Sequence, residues 1–349
     1  MQEFSLLWFS IVEMKVIICQ TPGNLEMIER EIPEPIPGFS LVRIRRIGIC
    51  GTDLHAFAGN QPFFSYPRVL GHELAAEFVE GDAEGFVKGE LLTILPYFNC
   101  GKCLACRSGK PNCCSAINVF GVHIDGGMSE YVAIPSSALI KSGGLTLEQL
   151  ALVEPLAIGA HAVSLANIQP GEKVLVIGAG PIGVGLVQFA QLAGAEVVLM
   201  DTNEDRLQFC RVHFGISFTI NPTHQDSMAL LMEFTSGDMP TVVMDATGSQ
   251  HAINKGFAFL SHGGKYILVG LQMGEVSFSH PEFHKREATL MSSRNATKTD
   301  FNLVISSIAT GKINPLPMIT HQVSLDGVVN GFAHLSDPSS KVVKAMIEC

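Results

Sequence analysis

Four cysteines in Cys100-Gly101-Lys102-Cys103-Leu104-Ala105-Cys106, with Cys114 closing the set after a short return segment, have the spacing of a tetrathiolate metal site. Two residues between thiols let a tight loop aim both sulfurs at one ion, and the return segment completes a tetrahedron. A zinc held by four thiolates has no open position, so this site is read as structural. The competing reading, a disulfide cluster, needs an oxidising compartment that nothing else in the chain suggests. Cys50, His72 and Glu73 form a second set. A thiolate, an imidazole and a carboxylate from separate loops suit a catalytic zinc that keeps one position for water or substrate. Each alone has a plainer explanation: a buried thiol, a core histidine, a helix-start residue. Their company in one chain favours the metal.

A third pattern is Gly178-Ala179-Gly180-Pro181-Ile182-Gly183, between the strand-like run Lys173–Ile177 and a helical run over 182–192. Gly178 permits a tight turn, Gly180 lets the backbone approach a pyrophosphate, Gly183 lets the helix pack closely, and the helix N-terminus faces the phosphates. Asp201, at the end of the next strand-like run, is expected to bind both adenosine ribose hydroxyls and to repel a 2′-phosphate, which favours NAD over NADP. Pro181, Ile182, Arg206, Thr247 and Val269 complete the expected cofactor-binding set.

These residues must be positioned by more than one domain, since 349 residues exceed the usual span of one core. Residues 14–153 offer short β-rich runs such as 41–47 and 91–95, punctuated by Gly and Pro. From about Glu154 strands alternate with helix-length segments. The runs Lys173–Ile177, 197–200, 241–244 and 265–269 are apolar throughout, as strands buried on both faces of a parallel sheet must be. A tail over 293–349 ends in a strand-like run, 341–347, that returns to the first domain. The expected division is an extension at 1–13, a catalytic domain at 14–153 with a zinc lobe at 95–116, a dinucleotide domain at 154–292 and the returning tail. The fold class is α/β. Met14 is read as the natural start, and the extension, with its apolar cluster from Phe4 to Phe9, is given no function.

Lys and Arg number 23 against 33 Asp and Glu, a net charge of −10 that disfavours nucleic acid and anionic membrane as partners. No apolar run reaches the roughly 18 residues of a membrane span, and the N-terminus lacks the form of a signal peptide, so a cytoplasmic location is expected. Cys19, Cys113, Cys210 and Cys349, the cysteines not given to metal, are scattered and suggest no disulfide framework.

From Met14 to Cys349 the chain resembles the zinc-dependent medium-chain alcohol and polyol dehydrogenases. The likeness rests on Gly48-Ile49-Cys50-Gly51-Thr52-Asp53, Gly71-His72-Glu73, the four-cysteine lobe, Glu154-Pro155, the dinucleotide turn and Asp245-Ala246-Thr247-Gly248, in the family's order. It implies a GroES-like, mostly-β catalytic domain interrupted by a Rossmann domain with a doubly wound parallel sheet. It selects Cys114 over Cys113 in the lobe, and implies two zinc ions per chain, one catalytic and one structural, with NAD as oxidant. Cys50 and His72 are implied as catalytic-zinc ligands, with a carboxylate in place of a second thiolate. Glu73 is taken as a ligand and Glu154 as one in some states; which is bound at rest stays open. Thr52 and His55 match the family's proton relay from substrate oxygen to solvent, and Asp53 is read as structural.

The segments 60–70, 281–287 and 292–297 look like those of bacterial L-galactonate 5-dehydrogenases. That likeness implies oxidation of a secondary hydroxyl of a small polyhydroxylated substrate, a sugar acid of the L-galactonate or L-idonate type or a polyol, with Arg294 or Lys285 as a carboxylate partner. Alternatives are L-threonine 3-dehydrogenase, a sorbitol- or galactitol-type polyol dehydrogenase, and a non-catalytic NAD-sensing or structural protein. Relatives are homodimers or homotetramers, and residues 265–271 with 276–279 are the expected edge for such pairing.

Overall fold

The structure is a computed structural model that describes residues 13–62 and 64–349. The apolar cluster of the expected extension lies outside the described residues, as does Phe63 of the segment 60–70. Glu13, assigned above to the extension, instead opens the first strand, Glu13–Thr21, and pairs with Glu31.

Two sheets position the chemistry. The first is a seven-stranded, largely antiparallel sheet in which the long strand Phe39–Ile49 is flanked by Glu73–Gly81 and Lys344–Glu348. Strand Ile319–Ser324 adds to Lys344–Glu348 in parallel, so the end of the chain completes the sheet that its beginning started. Its core collects Ile44, Ile47, Leu74, Leu92, Ile94 and Ile347, all buried. The second sheet is parallel and six-stranded, in the order Phe218–Ile220, Glu196–Met200, Lys173–Ile177, Val242–Asp245, Lys265–Leu268, Thr289–Ser292. Val174, Leu175 and Val176 are fully buried, so both faces of the central strand are covered. The strand order reverses between Lys173–Ile177 and Val242–Asp245, and the crevice outside such a switch point is where doubly wound sheets bind ligands.

The pairing corrects the expected edge. Lys265–Leu268 lies inside the sheet, and Thr289–Ser292 forms the rim beyond it. The physical reason is connectivity: the chain after residue 279 passes through helix His280–Lys285 and adds one more parallel strand outside. Helix Val153–Ala166 packs on helices Pro181–Leu192 and Lys298–Ala309, joining the catalytic half to the parallel sheet. No helix among the described residues is long and apolar enough to cross a membrane.

Candidate active site

Cys50 follows directly on strand Phe39–Ile49 and caps helix Gly51–Ala58, while Glu73 begins the neighbouring strand. Gly48 faces Glu73 across this pair, and a Cβ on Gly48 would overlap the Glu73 carboxylate; only glycine leaves it room. Buried Asp53 then staples the two ligand segments together, one oxygen accepting from Cys50 N at 2.9 Å and the other from Gly71 N at 3.1 Å. The result brings ligand atoms of Cys50, His72 and Glu73 within 4.8 Å of one another. His72 Nδ1 is buried without a hydrogen-bond partner. A buried, unpartnered imidazole nitrogen beside a thiol and a carboxylate is costly unless something is coordinated there, so the donor set fits a zinc ion.

Glu154, the second residue of helix Val153–Ala166, is buried near the same cluster and accepts a hydrogen bond from the Tyr97 hydroxyl. Burial pushes its carboxyl up to about 7, with His72 acting against that rise and Glu73 adding to it. Thr52 is half-buried on helix Gly51–Ala58, and His55 is exposed one turn on, its Nδ1 2.9 Å from Asn60 Oδ1. The four lobe cysteines also converge, with the sulfurs of Cys100, Cys103, Cys106 and Cys114 within 4.8 Å of one another; Cys113 is exposed outside the group.

The glycine turn leaves the central strand with Gly178 at φ +103°, and a Cβ on Gly183 would run into Gly178 O. Gly180 caps the helix that Pro181 opens, and a Cβ there would meet nothing within 4 Å. That open cradle, before helix N–H groups, fits a pyrophosphate. Asp201 accepts from Ala179 N at 2.6 Å and from Asn203 N at 2.7 Å, so its carboxylate braces the turn as well as facing it. Thr247 donates its N–H and hydroxyl to Asp245, and Val269 N donates to the Asp245 carbonyl, which places both at the carboxyl ends of the parallel strands. A cleft of about 460 Å³ joins the two halves: Ile49 and Gly51, on either side of Cys50, line it together with Pro181, Asn203 and Arg206.

Comparison with known proteins agrees with this geometry. Residues 37–144 match the family described as alcohol dehydrogenase GroES-like domain, and residues 181–310 match the family described as zinc-binding dehydrogenase. The chain is 46% identical to L-galactonate-5-dehydrogenase of Escherichia coli K12 over 311 residues, 88% of this chain and 91% of that one. It belongs to the zinc-binding alcohol dehydrogenases. Among solved structures, this dehydrogenase superposes on an Escherichia coli CFT073 alcohol dehydrogenase complexed with NADH at TM-score 0.89 and 29% identity, covering 97% of this chain and 99% of that one. L-Idonate 5-dehydrogenase of Escherichia coli K-12 follows at TM-score 0.88, 25% identity and the same coverage.

The structure of this dehydrogenase also shows what sequence reading missed. Lys344, fully buried in the last strand, donates to Glu73 Oε1 at 2.5 Å, to Oε2 at 2.7 Å and to Ile49 O at 3.1 Å. Tyr97 holds Glu154 by a single hydroxyl hydrogen bond to Oε1, from a segment that carried no motif. Lys285 is separated from the site: it precedes the amino end of Thr289–Ser292, whereas Arg294 follows the carboxyl end, on the side of the glycine turn.

Proposed function

We propose that this dehydrogenase oxidises a secondary hydroxyl of a sugar acid of the L-galactonate or L-idonate type to the ketone, passing hydride to NAD. The observation that carries the reading is the shared cleft, because Ile49 and Gly51, which flank Cys50, and Pro181 of the glycine turn line one space. Similarity to L-galactonate-5-dehydrogenase and to L-idonate 5-dehydrogenase supports the substrate class. Cys50, His72 and Glu73 would hold a zinc ion that would supply Lewis acidity toward the hydroxyl, and Cys100, Cys103, Cys106 and Cys114 would hold a second, structural one.

The chain's own residues do the remaining work. Asp53 holds the two donor segments at a fixed spacing, and Lys344 fixes the Glu73 carboxylate by both oxygens. Glu73 is the carboxylate ligand at rest, and Glu154, held by Tyr97, stands in reserve. Thr52 and His55, one turn apart on helix Gly51–Ala58, pass the hydroxyl proton toward solvent. Gly178, Gly180, Pro181, Ile182 and Gly183 cradle the pyrophosphate, with Arg206, Thr247 and Val269 at the rim, and the negative charge of Asp201 disfavours a 2′-phosphate. Two copies associate through the rim strand Thr289–Ser292, whose Leu290 is 39% exposed.

The test is NADH formation by zinc-loaded protein on L-galactonate, L-idonate, sorbitol, galactitol and L-threonine, with NADP as parallel oxidant. An aldonate should lead in kcat/KM by at least an order of magnitude, with NADP poor. Preference for threonine or a plain polyol would overturn the assignment.

A further inference from the structure

The loop after strand Asn118–Val119 carries Val122-His123-Ile124-Asp125, which plays no part in the site described so far. Backbone bonds pin this loop to the turn that presents His72. Gly126 N donates to Val69 O at 2.8 Å, Gly127 N to Gly71 O at 2.9 Å, and Val69 N to Asp125 Oδ1 at 3.0 Å. Val119 itself pairs with Tyr97, whose hydroxyl holds Glu154. The loop is thus built onto two walls of the donor cluster.

His123 has one nitrogen committed, since Nδ1 accepts the Val119 N–H at 2.9 Å. A neutral imidazole accepting at Nδ1 carries its proton on Nε2 and so presents a donor. Burial first, then the nearby guanidiniums of Arg294 and Arg68, hold this imidazole below its ordinary range and keep it neutral. Arg68 reaches Ser65 Oγ at 2.9 Å and Asp125 Oδ1 at 3.5 Å, while its Nε is buried with no partner. Asp125 is shared with Arg30 at 3.1 Å, so a single carboxylate serves two guanidiniums. Arg294 is exposed, makes no ion pair among the described residues, and has its carbonyl held by Asn112 Nδ2 at 3.0 Å. Positive charge and N–H donors therefore outnumber acceptors on this side of the cluster.

We propose that Arg68, His123 and Arg294 form the subsite that receives the carboxylate of the aldonate, and that this subsite sets the preference for a sugar acid over the corresponding polyol. Forked guanidinium donors match the two oxygens of a carboxylate, whereas a neutral hydroxymethyl leaves them uncompensated. The same excess of positive charge repels the ammonium of an amino alcohol. The proposal rests on the sugar-acid reading above and adds the residues that enforce it.

The experiment compares L-galactonate with galactitol, which differ at the carboxylate end alone, in wild type and in Arg68→Gln, His123→Phe and Arg294→Gln, with Lys285→Gln as control. The ratio of kcat/KM for the two substrates should fall by about tenfold or more in each arginine variant, mainly through KM for L-galactonate, and stay put in the control. Thermal denaturation reports folding; should Arg68→Gln unfold, the exposed Arg294 carries the test. If wild type favours L-galactonate and no variant moves the ratio, the subsite is wrong while the sugar-acid reading stands. A rise in KM for NAD common to both substrates would assign the guanidiniums to the cofactor and overturn the subsite. If wild type turns over galactitol as well as L-galactonate, or neither, the sugar-acid reading fails and this subsite with it.

Discussion

Glu73 and Lys344 show how much a single residue pair decides. Their side chains are 0% and 2% exposed, so without a bound metal each charge is compensated by the other. In zinc-free protein, Lys344→Met leaves a buried carboxylate without its cation, and urea denaturation in the presence of a chelator should register a loss of about 3–5 kcal/mol. Adding Glu73→Gln to the same chain should restore most of that loss, because it removes the orphaned charge. A lack of recovery in the double variant would mean that Lys344 acts chiefly through Ile49 O. Spacing carries no sign of the pair, since the partners are separated by 271 positions.

At the scale of elements, helix Val153–Ala166 connects the cysteine lobe to the catalytic cluster. Glu154 lies in its first turn; two turns on, His161 Nε2 meets Asn112 Nδ2 of the lobe at 3.0 Å, and Nδ1 meets Asp300 Oδ2 at 2.9 Å. Asp300 in turn caps helix Lys298–Ala309 by accepting from Thr297 N at 2.8 Å. Burial alone would raise the Asp300 carboxyl, but bonds from His161 and Thr297 outweigh it and hold the group below its usual range. A carboxylate with a depressed folded value contributes stability above its unfolded value, about 3.9, and loses it as pH falls through the folded value. Asp300→Asn should therefore lower the melting temperature clearly at pH 7, with the gap from wild type closing as pH falls below about 4. A gap independent of pH would show that shape rather than charge matters at this position. The cap was written locally, in Thr297 and Asp300 three apart; the lobe contact was not, because Asn112 and His161 meet only once the helix has docked.

For the whole molecule, the cleft exists because the last strand returns to the first sheet and closes the catalytic half around the inserted parallel sheet. One ion pair, Lys341 to Asp205 at 2.8 Å, links residues on opposite walls, but both side chains are largely exposed and such pairs are worth about 0–1 kcal/mol. Assembly belongs to this scale too. Leu290→Lys on the rim strand puts a charge where a second copy would pair, and light scattering after size exclusion should show wild type as a multiple of one chain and the variant as one chain. Wild type at the mass of one chain would remove the proposed association.

By itself, the sequence determined the family, the fold class and the parallel strands, and it singled out the thiols and the imidazole that the fold brings together, while leaving open which carboxylate joins them. Those features are written in short range: two-residue spacings between thiols, a glycine-rich turn between a strand-like and a helical run, and apolar runs of strand length. Tertiary structure alone decided the partners. An apolar run records that a strand is covered but not by which neighbour, so 265–271 read as an edge, whereas Lys265–Leu268 folded as an interior strand. Lys344 against Glu73, Tyr97 against Glu154 and the Arg68, His123 and Arg294 group arise for the same reason: each joins segments whose adjacency is set by sheet order and helix docking. Local periodicity encodes exposure, and only the folded chain encodes which side chains meet.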